Sequence, residues 1–140
     1  MAEESSNSPR VGCGVAILRG RSLLLLQRAR PPEAGCWSLP GGKVDLWEST
    51  EAAARREIAE ELGVTLGPLN LLCVADLVTP EERAHWVSPV FLAISCEGEP
   101  AQLEPEKHTG LGWFSLDALP SPLARSVLAA VRALQQRGAG

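Results

Sequence analysis

The chain has 140 residues, a formal net charge of −4 and 45% hydrophobic residues. That suits one domain around one core and leaves no basic patch or stripe for a nucleic-acid polymer. No run of about 20 apolar residues and no secretory h-region occurs, so neither a spanning helix nor a signal peptide is expected.

Residues 1–9 are polar and serine-rich and are expected to form a disordered tail before a single domain over 10–138. The four cysteines, Cys13, Cys36, Cys73 and Cys96, form no C-x-x-C pair and no zinc spacing. They read as buried or free thiols in a reducing cytoplasm.

Val11 to Leu18 reads as a strand, Arg19–Gly20–Arg21 as a hairpin loop of about three residues, and Ser22 to Arg28 as a second strand. Its four consecutive leucines suit burial on both faces. Arg28 and Arg30 follow, as two solvated charges or a phosphate contact. Pro31 to Gly35 is a loop, and Cys36–Trp37–Ser38–Leu39–Pro40 leads into Gly41–Gly42, read as a glycine loop that lets backbone approach a ligand. Lys43 faces either phosphate or solvent.

A helix follows. Ser49 or Thr50 is its cap and Gly63 its left-handed stop. Ala54, Ile58 and Leu62 form the apolar stripe that binds it to the sheet. Glu57, Glu60 and Glu61 fall at i, i+3 and i+4, within a sector of roughly 100°. Three carboxylates on one face repel one another unless something offsets the charge. A hard divalent cation does this well, since Mg²⁺ takes oxygen ligands and completes its shell with water and phosphate.

Leu69 to Val78 is the next strand and Thr79 to Ala84 a loop. Trp86 to Ser95 is another strand, with Pro89 suggesting an edge or a bulge. His85 is a strand-end histidine or a ligand contact at a pocket rim. Trp86 is core or a platform for a base. Glu97 to Thr109 is a long polar loop, Gly112–Trp113–Phe114 a short strand, and Ser115 to Leu119 one helical turn. Ser121 and Pro122 suit the start of a final helix carrying Leu123, Val127, Ala130, Val131 and Leu134.

One spacing stands apart. Gly42 is followed after five residues by Glu48, after seven more by Arg56–Glu57, then Ile58, one residue, Glu60–Glu61, one residue, Gly63 and Val64. Seven fixed residue types in that register arise by chance on the order of once in 10⁹ starts. The pattern resembles the Nudix box at every defined position, and the chain is most similar to MutT-like nucleotide triphosphate diphosphatases.

The resemblance implies an α+β fold, a Nudix-type α/β/α sandwich on a mixed sheet. It implies Mg²⁺, with Mn²⁺ as a substitute, held by Glu57, Glu60, Glu61 and the Gly41 carbonyl. Glu106, with Glu104 in reserve, adds a carboxylate from the loop before Trp113. Arg56 orients the comb and Glu48 holds Arg56. Arg28, Lys43 and His85 are candidates for substrate contact. The implied reaction turns a nucleoside triphosphate, oxidised or non-standard among the candidates, into monophosphate and pyrophosphate. ADP-ribose or another nucleoside diphosphate conjugate is the alternative substrate, and a catalytically silent ligand-binding module the alternative class. A homodimer is implied by the same likeness; the partner is a small nucleotide, with no membrane.

Overall fold

The computed structural model describes residues 8–138. Apart from Ser8 and Pro9, the expected tail over 1–9 lies outside them.

The leucine run explains the architecture. Leu23, Leu24, Leu25 and Leu26 of strand β2 (Ser22–Arg28) are all fully buried. Successive strand residues point to opposite faces. Leu24 and Leu26 therefore join Ala54, Ile58 and Leu62 of helix α1 (Thr50–Leu62) in one core cluster. Leu23 and Leu25 join Val127 and Ala130 of helix α2 (Arg125–Arg137) in a second. Strand β1 (Arg10–Arg19) splits the same way, Val15 and Ile17 toward α1 and Ala16 toward α2. Helices on both faces of a mixed sheet are the α/β/α sandwich expected.

The remaining elements are β3 (Trp37–Ser38), β4 (Gly41–Lys43), β5 (Thr65–Leu66), β6 (Leu69–Thr79), a 3₁₀ turn (Pro80–Glu82), β7 (Ala84–Ala93), β8 (Cys96–Glu97) and β9 (His108–Ser115). The main sheet runs β3-β2-β1-β7-β6, with β4 beside β1 and β9 beside β2. β1 and β7 are parallel and the other pairs antiparallel. β5 and β8 form a separate ribbon.

The β1–β2 hairpin stays paired only near its turn, at Leu18 with Leu23 and Arg19 with Ser22. The chain over 37–43 then takes up the free hydrogen bonds of both strands. Ser38 pairs with Leu26, the Pro40 carbonyl accepts from the Val15 amide at 2.9 Å, and Gly41 to Lys43 pair with Gly14 to Gly12. This wedge sets β4 beside α1 and β3 beside α2.

Several expectations are corrected. Gly41–Gly42 is not a loop but the start of β4, because β1 offers a ladder there. The hairpin turn has two residues, Gly20 and Arg21. Strand β7 lies inside the sheet, not at its edge. Pro89 fits because the β1–β7 ladder skips from Val11–Val87 to Gly14–Val90, so no bond is lost to its missing N–H. The strand before Trp113 begins earlier, at His108, and Leu116–Asp117 is a turn rather than a helical one.

Helix α2 starts three residues later than Pro122 at N1 requires. The Trp37 amide donates to the Pro122 carbonyl and the Ala124 amide to the Trp37 carbonyl, at 2.8 and 2.9 Å. Those bonds hold 122–124 extended beside β3. The first-turn donor of α2 is met instead by Glu33, whose Oε2 accepts from the Arg125 amide at 2.9 Å. At α1 the expectation holds: Ser49 Oγ accepts from the Ala52 amide at 3.0 Å, and Gly63 ends the helix at φ 73°. The four cysteines are free, and among the described residues no helix is long and apolar enough to cross a membrane.

Two substitutions test the capping account. Ser49→Ala is expected to cost about 1 kcal/mol and Ser121→Ala less than about 0.5 kcal/mol, read as shifts of the urea midpoint. Equal losses at the two serines would contradict it.

Candidate active site

Helix α1 presents its polar face to β4, and Arg56 joins the two. Its Nε donates to Glu48 Oε2 at 2.7 Å and its Nη2 to Glu48 Oε1 at 2.9 Å, a two-pronged pair. Nη2 also donates to the Lys43 carbonyl of β4 at 3.0 Å and lies 3.4 Å from Asp45 Oδ2. Nη1 turns the other way, to Glu57 Oε2 at 3.3 Å and Glu60 Oε1 at 3.2 Å. Arg56 hydrogen bonds hold the Glu48 carboxyl down to about 2, helped by the Asp45 amide, which donates to Glu48 Oε1 at 3.0 Å.

Much of the repulsion along the comb is therefore offset within the chain. Glu57 is half-buried, Glu60 is exposed, and each meets Arg56. Glu61 does not. It is 5% exposed, and one oxygen accepts from the Gly41 amide at 3.0 Å. Burial, with Glu57 and Glu104 as nearby negative charges, pushes its carboxyl up to about 8. Burial also raises Glu57, with Glu60 adding to it. His108 Nε2 stands 3.9 Å from Glu61 Oε2, and burial lowers that imidazole.

Strand β4 approaches because Gly42 has no side chain. A Cβ there would lie 2.3 Å from the Glu57 carboxyl carbon. One at Gly41, whose φ is 154°, would lie 2.1 Å from the Cys13 carbonyl oxygen.

This corner is short of positive charge. Glu61 is a buried carboxylate without an arginine, and Glu104 Oε1 is buried with no hydrogen bond, although the Lys107 ammonium lies 3.5 Å from it. Among the described residues no three His, Cys, Asp or Glu side chains converge to hold a metal ion as they stand, since Arg56 draws Glu57 and Glu60 toward itself. The oxygen-rich donor set fits a hard divalent cation: Glu57, Glu61 and Glu104 could supply its ligands. Of the two loop carboxylates, Glu104 is half-buried and acts on Glu61, whereas Glu106 is exposed. The Lys107 and His108 amides both donate to the Glu104 carbonyl, which closes the turn with Glu104 inward.

A cleft of about 270 Å³ opens beside β4. Gly12, Gly14, Leu39, Gly41–Lys43, Leu77 and Trp86 line it, with Glu33, Arg125, Thr79 and Ser88 at its polar parts. Lys43 is exposed at its wall. Arg28 also lines it, but its guanidinium donates to the carbonyls of Pro32 and Pro31 at 2.6 and 3.4 Å and so fixes the loop over 31–35. His85 is exposed and lines an adjoining depression with Trp86 and Arg10. Glu33 and Arg125 carried no readable signal, because they are 92 residues apart and meet only in the fold.

Glu61 gives a pH prediction. An unfolded carboxyl titrates near 4.5 and this one near 8. Between those values the folded state holds the extra proton, so the stability Glu61 contributes is complete below about 4.5 and is lost as pH rises through about 8. A divalent ion needs the ionised form, so its affinity rises over the same range. Calorimetry should show a larger Mg²⁺-induced rise in Tm near pH 8.5 than near pH 6, abolished in Glu61→Gln. The metal-free variant should melt above the parent near pH 8.5. Equal Mg²⁺ effects at both pH values would sink this reading.

Comparison with known proteins agrees with the geometry. The family model described as NUDIX domain matches residues 8–135. The crystal structure of a MutT NUDIX hydrolase from Burkholderia pseudomallei superposes with a TM-score of 0.90 at 52% identity, covering 91% of this chain and 99% of that one. A Mycobacterium tuberculosis protein provisionally named 8-oxo-dGTP diphosphatase 2 is 56% identical over 55 residues, 39% of each chain. An ADP-ribose pyrophosphatase of Methanocaldococcus jannaschii is 34% identical over 112 residues, 80% of this chain and 65% of that one. The matches thus span 39% and 65% of the lengths of these two relatives. The family match over residues 8–135 and these likenesses make the chain a member of the NUDIX family.

Proposed function

We propose that the chain is a divalent-metal-dependent nucleotide pyrophosphohydrolase that converts a nucleoside triphosphate, oxidised purine forms included, to monophosphate and pyrophosphate. The observation that carries this is Glu61, a buried carboxylate lacking an arginine, whose oxygen accepts from the amide of Gly41, a residue that lines the cleft. The names of the Burkholderia pseudomallei and Mycobacterium tuberculosis relatives support it.

The chemistry follows from the parts. Water attacks one phosphorus of an anhydride, the P–O bond to the leaving phosphate breaks, and the water proton passes to a base. Mg²⁺, when bound, neutralises charge on the phosphate oxygens and makes a water more acidic. Glu57, Glu61 and Glu104 would hold it, with Glu60 and the Gly41 carbonyl as further oxygens.

The chain's own groups do the rest. Arg56 keeps Glu57 and Glu60 at fixed positions, and Glu48 and Asp45 keep Arg56 there. The Gly41 amide orients Glu61. The missing side chain at Gly42 lets the Glu57 carboxyl pack against the β4 backbone, and Lys43 faces the incoming negative charge. The carboxylates around one ion titrate together, so the base is a property of the group.

Replacing Glu57 by Gln should lower Mg²⁺-dependent turnover at least about 100-fold with an unchanged circular dichroism spectrum. Gly42→Ala should displace Glu57 and lose a comparable factor, since a misplacement near 1 Å costs about 100-fold. The assay is a panel of canonical and 8-oxo nucleoside triphosphates with ADP-ribose and NADH, products separated by chromatography. Monophosphate and pyrophosphate from a triphosphate support the proposal. Turnover of ADP-ribose alone would move the enzyme to the substrate in the Methanocaldococcus jannaschii relative's name. No turnover of any member would reject it.

A further inference from the structure

The cleft carries a group that the reaction does not use. Glu33 lies in the loop over 31–35 with a left-handed backbone, φ 61°, rare for a residue with a side chain. Its side chain is only 20% exposed, yet it lines the cleft. Glu33 Oε2 accepts from the Arg125 amide at 2.9 Å and lies 3.5 Å from Arg125 Nε.

Arg125 is fastened in turn. Its Nη1 donates to the Val78 carbonyl at 2.6 Å and its Nη2 to Thr79 Oγ1. The guanidinium is thus committed to the end of β6 and to Glu33. Glu33 Oε1 accepts no hydrogen bond among the described residues. A serine or aspartate at position 124 would cap α2 locally. The chain instead uses a carboxylate from a strained loop, which fixes that carboxylate at the cleft wall near Trp86 and Leu77.

We propose that Glu33, immobilised by Arg125, is the specificity-determining residue of the cleft and selects a base of the guanine type. The inference rests on the cleft being a nucleotide site, as argued above. With phosphates against the Gly41–Lys43 wall, Glu33 is, among the described residues, the one carboxylate of the lining left to meet the base. A carboxylate only accepts. Guanine presents two adjacent donors, N1–H and the 2-amino group, and its 8-oxo form keeps both. Adenine and cytosine set a ring acceptor beside their amino group, and uracil flanks its one N–H with two carbonyls. Each of those three places a lone pair against the carboxylate. The adenine of ADP-ribose belongs to this disfavoured set.

Equilibrium binding tests this without turnover. GMP, AMP, CMP and UMP are titrated by calorimetry into the wild-type protein and into Glu33→Gln. The amide oxygen of glutamine can still cap Arg125, while its amino group turns the open position from acceptor to donor. Wild type should bind GMP at least about 10-fold tighter than the other three, and the variant should reduce that ratio to within about 3-fold, with Tm changed by less than about 2 °C. A wild type without guanine preference, or a preference that survives the substitution, overturns the inference, and the first of these is readable even where the variant fails to fold. Guanine preference lost in the variant, with no triphosphate hydrolysed by wild type, supports the role of Glu33 and counts against the pyrophosphohydrolase reading alone.

Discussion

The Arg56 guanidinium is the contact on which the rest of the site depends. One planar fork binds Glu48 with two hydrogen bonds, reaches the backbone of β4 through the Lys43 carbonyl, and meets Glu57 and Glu60 on its own helix. Lysine could not do this, because a single ammonium cannot serve a two-pronged carboxylate and three further acceptors in fixed directions. Helix α1 is therefore locked to the sheet by its polar face as well as by Ala54, Ile58 and Leu62 on its apolar one. The carboxylates consequently sit on a rigid element rather than on a loop.

That arrangement leaves an asymmetry with a functional sense. Arg56 compensates Glu57 and Glu60, which are half-buried and exposed, but not Glu61, which is buried. A carboxylate in that position costs stability when ionised; the Gly41 amide and the Lys107 charge offset part of that cost, and a cation from outside the chain would offset more. Gly41 and Gly42 complete the picture. Their missing side chains let β4 lie against the helix, with the Gly41 amide on Glu61 and the Glu57 carboxyl packed against Gly42. A charge imbalance on α1 and the close approach of β4 thus mark the place where a metal would sit.

How much of this was legible in the residues depended on range. The comb was readable because i, i+3 and i+4 on one helix share a face whatever the tertiary structure does, and Ser49 and Gly63 marked that helix by local chemistry alone. The two-sided burial of β2 was readable from four consecutive leucines. What failed was whatever another segment decided. Gly41–Gly42 looked like a loop until β1 supplied a ladder. Pro122 looked like a helix start until Trp37 took its carbonyl. Pro89 suggested an edge or a bulge; the strand lies inside the sheet, with a register shift of β6 between Leu71 and Cys73 close by and a skipped stretch of the β1 ladder. Between Glu104 and Glu106, two residues apart in the same proline-containing stretch, the turn closed on the Glu104 carbonyl leaves Glu104 half-buried and Glu106 exposed. Glu33 and Arg125 had no pattern to show.

The most direct test of the central claim is where a divalent cation binds. Crystals of the protein grown with Mn²⁺ would be measured at the manganese edge, and the anomalous difference map inspected around helix α1. The account predicts a peak bounded by Glu57, Glu61 and Glu104, with Arg56 still paired to Glu48. A fully bound ion elsewhere, with Glu61 still buried against the Gly41 amide and no metal beside it, would contradict it.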